Sequence, residues 1–235
     1  MSRLITTNLS VRHRAKSDEG DGGGGNISPM RYRYRSDDID LDATLELLAG
    51  TPFPDETDIV VRERIRSRRA AVLIIDVSGS MKGEKARMAA ATIAALSNAF
   101  RDDDFAVVAF WSDAAVLKPL REPMSAATML DVLLRVPTRG LTNIQFGLTV
   151  ADAELRTSAI RRRTAILLTD ALHNAGPDPR EVAGRFGELH VLLQTDGSHD
   201  RPLAADIARL GHGHLAEVQT YRDIAPALNA FLSLD

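Results

Sequence analysis

Five residues could together do chemistry that none does alone. They are Asp76, Ser78 and Ser80 in Asp76-Val77-Ser78-Gly79-Ser80, then Thr142, then Asp170. The first three stand between a short apolar run, Ala71 to Asp76 (AVLIID), and a long alanine-rich segment. Thr142 lies in Arg139-Gly140-Leu141-Thr142-Asn143, and Asp170 ends the apolar run TAILLTD. Two carboxylates and three hydroxyls form an all-oxygen set, which suits a hard cation. Mg²⁺ takes near-octahedral oxygen ligands at ~2.0–2.1 Å and usually keeps some waters; Mn²⁺ and Ca²⁺ accept oxygen ligands too. The D-x-S-x-S spacing puts alternate side chains on one side of a tight loop, and Gly79 permits the turn. Hydroxyl ligands are neutral. If the aspartates act mainly through water or outer hydrogen bonds, the ion keeps positive charge and attracts an anionic oxygen from outside, most simply an Asp or Glu of another protein. A metal-free alternative asks less of the same residues: Ser80 caps a helix and Asp170 merely ends a strand.

The elements that must bring these residues together are legible as alternation. AVLIID and TAILLTD are short apolar runs, as expected of strands buried on both faces. Further strands are expected at Phe105–Phe110, Leu189–Gln194 and His214–Val218, with Ala114–Leu117 pairing back on Phe105–Phe110 across the turn Trp111-Ser112-Asp113. Helices are expected at Glu84–Phe100, Ser125–Arg135 with Ser125 as N-cap, Ile144–Ser158, Pro179–Phe186, Pro202–Leu210 and Tyr221–Leu232. Strands alternating with helices predict an α/β fold, a doubly wound and mostly parallel six-stranded sheet with an N-terminal extension. In such sheets ligands bind in the crevice beyond the carboxyl ends of the strands, and the three loops carrying the five residues reach that edge.

Residues 1–36 read as a flexible arm, basic around the glycine-rich stretch Gly20 to Asn26. Residues 37–56 form a helical lead-in, apolar at helical spacing from Asp38 to Ala49 and stopped at Gly50. Residues 57–235 form the main domain, with Asp58–Ser67 an exposed strand leading into its core. Arg31-Tyr32-Arg33-Tyr34-Arg35 could stack on a nucleic acid strand. An edge strand lying on the domain explains it as well, and the formal net charge of −3 argues against nucleic acid as a partner.

At 235 residues the chain can bury roughly 70% of its unfolded surface, so no staple is needed for folding. With no cysteine, disulfides, thiolate zinc sites and cysteine nucleophiles are excluded. No signal-peptide pattern opens the chain, and no apolar run approaches the ~20 residues of a membrane span. A cytoplasmic protein without a membrane partner is the expectation.

The set Asp76-Val77-Ser78-Gly79-Ser80, Thr142 and Leu168-Thr169-Asp170 resembles the metal-ion-dependent adhesion site of von Willebrand factor A-type (VWA) domains, over about residues 57 to 233. The resemblance implies a doubly wound sheet with one antiparallel edge strand. It implies that Ser78, Ser80 and Thr142 touch the metal directly, while Asp76 and Asp170 orient the site, partly through water. Residue 171 is Ala where relatives often carry Gly. The motif DVSGSM, the preceding RERIRSRRAAVLIID and the missing cysteines resemble the intracellular branch: magnesium-chelatase D-type subunits and VWA proteins that work with MoxR-type AAA+ ATPases. That likeness implies an adaptor coupling such an ATPase to a client, not an enzyme.

The enzymatic alternative is a metal-dependent phosphohydrolase using the same cluster. A dehalogenase-type phosphotransferase needs a second aspartate two positions after Asp76, where Ser78 stands, and a late lysine, yet none follows Lys118. No G-x-S-x-G elbow or G-x-x-x-x-G-K-[ST] phosphate loop is present. Around the site, His173 and Asn174 could touch a partner or simply shape a loop. Trp111 could anchor an interface or cover the core. Asp113 and Asp196 read as solvated loop carboxylates at the site's edge, and His212 and His214 as a surface turn around Gly213.

Overall fold

The structure, a computed structural model, describes residues 27–31, 39–51, 55, 58–64, 68–79, 83–136 and 140–233. They fall into two compact units that divide between Ser67 and Arg68. The glycine-rich stretch Gly20 to Asn26 and the Tyr32–Arg35 part of the Arg/Tyr run lie outside the described residues.

The smaller unit contains strand β1 (Ile27–Arg31), helix α1 (Leu41–Ala49) and strand β2 (Val60–Arg64). The strands pair antiparallel in a two-stranded sheet. Of the strand expected over 58–67, Val60–Arg64 is a strand and pairs with Ile27–Arg31. Helix α1 begins three residues later than its apolar pattern, because the Asp40 side chain accepts from the Ala43 N–H as an N-cap. Thr44 bonds both backbone groups of Val60 through its hydroxyl, which fastens α1 to β2.

The larger unit runs β3 (Ala70–Asp76), α2 (Gly83–Ala99), β4 (Asp104–Phe110), β5 (Ala114–Lys118), α3 (Ala126–Arg135), α4 (Ile144–Arg156), β6 (Arg163–Thr169), α5 (Arg180–Ala183), β7 (Leu189–Gln194), α6 (Arg201–Leu210), β8 (His212–Val218) and α7 (Ile224–Ser233). Its six strands lie in the order β5-β4-β3-β6-β7-β8. All neighbours are parallel except β4 and β5. The fold is the mixed, doubly wound sheet expected from the alternation, and the antiparallel edge is the Trp111-Ser112-Asp113 hairpin.

Side chains alternate across the central strand. Ala71, Leu73 and Ile75 of β3 pack with Met88, Ile93 and Leu96 of α2, and with α3 and α7. Ala70, Val72 and Ile74 pack on the opposite face with Ile144, Leu148 and Leu155 of α4, and with α5 and α6. All seven residues of β3 are buried, which is why the strand reads as continuous apolar sequence ending in one acid.

Helix α4 comes unusually close to the sheet. A Cβ at Gly147 would stand 2.6 Å from the Phe110 ring. Gly147→Ala is expected to destabilise by about 1–2 kcal/mol, overpacking outweighing the gain in helix propensity. Urea denaturation checks this, and an unchanged midpoint would mean that α4 can move off the sheet freely.

Candidate functional site

Strand order decides which sequence-distant residues meet. β3 and β6 are parallel neighbours, with Ile75 opposite Leu168. The next residue on each strand is therefore Asp76 and Thr169, at the carboxyl edge. The Thr169 hydroxyl donates to Asp76 Oδ2 at 2.6 Å and accepts from the Ala171 N–H at 2.9 Å. Asp76 Oδ1 accepts from the Ser78 N–H at 2.9 Å, which closes the turn after β3. Gly79 continues that turn at φ +74°, a conformation open to glycine without Cβ strain.

From the opposite side, the loop before α4 brings in Thr142. Its hydroxyl donates to Ser78 Oγ at 2.7 Å, and both residues are buried. The Thr142 loop is clamped to the loop after β6. Asn174 Oδ1 accepts from the Thr142 N–H at 2.7 Å, while the Thr142 carbonyl accepts from the Asn174 and Ala175 N–H groups. His173 Nδ1 accepts from the Ile144 N–H at 3.3 Å. His173 and Asn174 thus hold the two loops together through these hydrogen bonds.

Asp170 follows β6 and is 7% exposed. Its Oδ1 accepts from the Leu172 N–H at 3.1 Å, and its Oδ2 pairs with Lys85 Nζ at 2.7 Å. The chain then bends through Ala171 at φ +61°. The left-handed backbone explains a preference for glycine here, and the alanine keeps the bend with its methyl buried against the α4 side of the sheet.

Asp76, Ser78, Thr142 and Asp170 are therefore brought together; Ser80 lies outside the described residues. Two participants take roles that no local pattern assigned: Thr169, which orients Asp76, and Lys85, which pairs with Asp170. Burial pushes the Asp76 carboxyl up to about 6, against hydrogen bonds from Ser78 and Thr169 that lower it; the Asp170 charge raises it further. Lys85 is raised above its ordinary value: burial opposes its charge, but the Asp170 bond and the charges of Asp170, Asp76 and Asp196 outweigh that.

The donor set fits a hard cation. Two buried hydroxyls touch beside two buried carboxylates, and the neighbouring His173 imidazole accepts from the Ile144 N–H. Among the described residues no group of three His, Cys, Asp or Glu gathers at metal-binding range, so a metal reading depends on the hydroxyls. The other candidates resolve differently. Trp111 packs against the core and its carbonyl accepts from the Asn143 N–H. Asp113 is exposed and caps the Ala114 N–H. His214 stacks on the buried His190 at 5.6 Å, and among the described residues no metal-binding group forms around His212.

Residues 71–173 match the von Willebrand factor type A domain family. An uncharacterized protein of Mycobacterium tuberculosis, Rv2850c, is 33% identical in an alignment 174 residues long that covers 67% of this chain and 27% of that protein. The chain thus spans about a quarter of that relative. The fold is similar to a von Willebrand factor type A structure from Catenulispora acidiphila, with 22% identity, a TM-score of 0.57, and coverage of 73% of this chain and 42% of that one. It is also similar to proximal thread matrix protein 1 of the mussel byssus, solved with a zinc-occupied MIDAS motif. There the identity is 16%, the TM-score 0.58, and the coverage 72% of this chain and 48% of that one.

Proposed function

Because residues 71–173 match the von Willebrand factor type A domain family, we propose that the chain is a metal-dependent protein–protein interaction module that binds a partner's carboxylate. Ser78, Ser80 and Thr142 supply neutral oxygens to a divalent ion, Mg²⁺ by preference, with Mn²⁺ or Ca²⁺ as substitutes. Asp76 and Asp170 orient the site. When bound, the ion supplies a positive charge that the hydroxyls leave uncompensated, and a Glu or Asp from outside completes it. The observation that carries this reading is the buried Ser78–Thr142 hydroxyl contact, 2.7 Å long, between two carboxylates from adjacent strands. A fold neighbour with zinc in its MIDAS motif supports it.

The surface around the site suits a protein partner. Leu141, Phe146 and Leu172 are exposed, and each lies within four residues of Thr142 or Asp170. An acidic side chain flanked by apolar neighbours would bury them on docking. Both oxygens of Asp76 already accept hydrogen bonds, which supports an orienting role over that of a nucleophile or general base and so favours docking over phosphoester hydrolysis. The partner we favour is a MoxR-like or chelatase-type AAA+ ATPase, with this chain as its adaptor. That choice is supported by the DVSGSM motif and the RERIRSRRAAVLIID stretch before it.

The test is a pull-down with purified MoxR-type ATPase in Mg²⁺ and in chelator, using the native chain and Ser78→Ala/Ser80→Ala. Capture in Mg²⁺ alone, lost in the double variant, is expected. Equal capture under all four conditions would overturn metal-dependent docking. Phosphatase turnover abolished by Asp76→Asn would favour the hydrolase instead.

A further inference from the structure

Lys85 stands where a cation is not wanted by its own helix. It is the third residue of α2, and the first turn of a helix carries the positive end of the macrodipole. Its side chain is 27% exposed and its ammonium lies 2.7 Å from Asp170 Oδ2. Asp76 and Asp196 act on the same charge from nearby. With Asp170 Oδ1 taken by the Leu172 N–H, both oxygens of this carboxylate are occupied. A cation drawn to Asp170 meets a resident ammonium that already neutralises it.

We infer that Lys85 is a built-in competitor for the cation site, a specificity-determining residue that weakens divalent-ion binding until a partner's carboxylate joins. The inference rests on the metal reading proposed above. The two aspartates and the lysine carry one net negative charge, so a divalent ion leaves the loaded site one charge positive. Without Lys85 the same site would be neutral once loaded. Lys85 therefore trades affinity for the bare ion against attraction for an external anion, and makes occupancy by the two cooperative. A lysine that merely stabilised the fold would not link these quantities.

The experiment is titration of the full chain with Mn²⁺ alone at pH 7.5, followed by calorimetry or by the Mn²⁺ electron paramagnetic resonance signal. Lys85→Met is expected to tighten Mn²⁺ binding about tenfold, the effect of one unit charge ~6 Å from a divalent ion even with water-like screening. Lys85→Gln, which keeps a donor for Asp170, should shift in the same direction, while Lys85→Arg should bind like the native chain. Thermal unfolding in chelator identifies a variant that fails to fold, in which case the other neutral variant decides. Binding no tighter in the folded neutral variants, with the native chain binding Mn²⁺, would overturn the role of Lys85 and leave the metal reading standing. No Mn²⁺ binding by either the native chain or the variants would overturn both.

Discussion

Asp76→Asn is expected to make the metal-free protein more stable at pH 7.5 while removing most of its response to divalent ions. Burial raises the folded-state pKa of Asp76 from the ordinary 3.8 to about 6. A carboxyl whose pKa is raised by folding binds its proton more tightly in the folded state. Its contribution is therefore favourable at low pH and is lost as pH rises from about 4 to about 6. Above that window the ionised, buried carboxylate costs on the order of 3 kcal/mol. An amide at this position carries no such charge and can still accept from the Ser78 N–H. Recovery of about 1–3 kcal/mol at pH 7.5, with little difference from the native chain at pH 4, would be read from urea midpoints in chelator.

The same substitution should weaken Mn²⁺ binding about 10–100-fold, as loss of an orienting carboxylate does elsewhere. In the native chain, binding must expel the proton that Asp76 takes up near pH 6, so affinity should fall below that pH. A variant less stable than the native chain at pH 7.5 would show that the buried charge is compensated better than its surroundings indicate.

The second large effect lies at the opposite end of the sheet. Arg69 precedes β3 and Asp103 precedes β4, and their side chains are 7% and 3% exposed. The Arg69 backbone N–H donates to Asp103 Oδ1, and its Nε and Nη2 donate to Oδ2. The guanidinium also lies over the Phe100 ring, 4.7 Å from its centroid. Asp103→Ala strands a buried guanidinium and is expected to cost about 3–5 kcal/mol, while Arg69→Met/Asp103→Ala together should recover much of that loss. Affinity for Mn²⁺ in the variant that remains folded should stay within about twofold, because the pair is a strand's length from Asp76 and screening removes what field remains. A loss below 1 kcal/mol in Asp103→Ala would mean that water reaches the pair and solvates it.

Much of this architecture could be read without coordinates, for reasons that are local. AVLIID and TAILLTD are too apolar to face water on either side, so they had to be central strands. Asp76 to Gly79, at the end of such a strand, had to turn at the carboxyl edge. Ser125 caps α3 as its position suggests, with its hydroxyl oxygen accepting from the Thr128 N–H. Where local signals are weak, the element is shorter than its apolar pattern. The helix expected over Pro179–Phe186 is a single turn, Arg180–Ala183, because no side chain caps its start and Gly184 ends it. The strand expected over 58–67 found its partner in Ile27–Arg31, a pairing that no pattern within either segment specifies.

Residue types and order alone pointed to Asp76, Ser78, Thr142 and Asp170 meeting at one edge of a mostly parallel sheet. Tertiary structure decided which atoms touch. Thr169 meets Asp76 across 93 residues, Lys85 meets Asp170 across 85, and Thr142 meets Ser78 across 64. Those separations follow from the placement of β6 beside β3 and of α4 over one face. That placement buries apolar side chains from many elements on the two faces of the sheet, so it leaves no mark in the spacing of any one motif. A lysine in the first turn of α2 is an electrostatic misfit when read along the helix, and only the strand order shows the carboxylate that makes its charge favourable there.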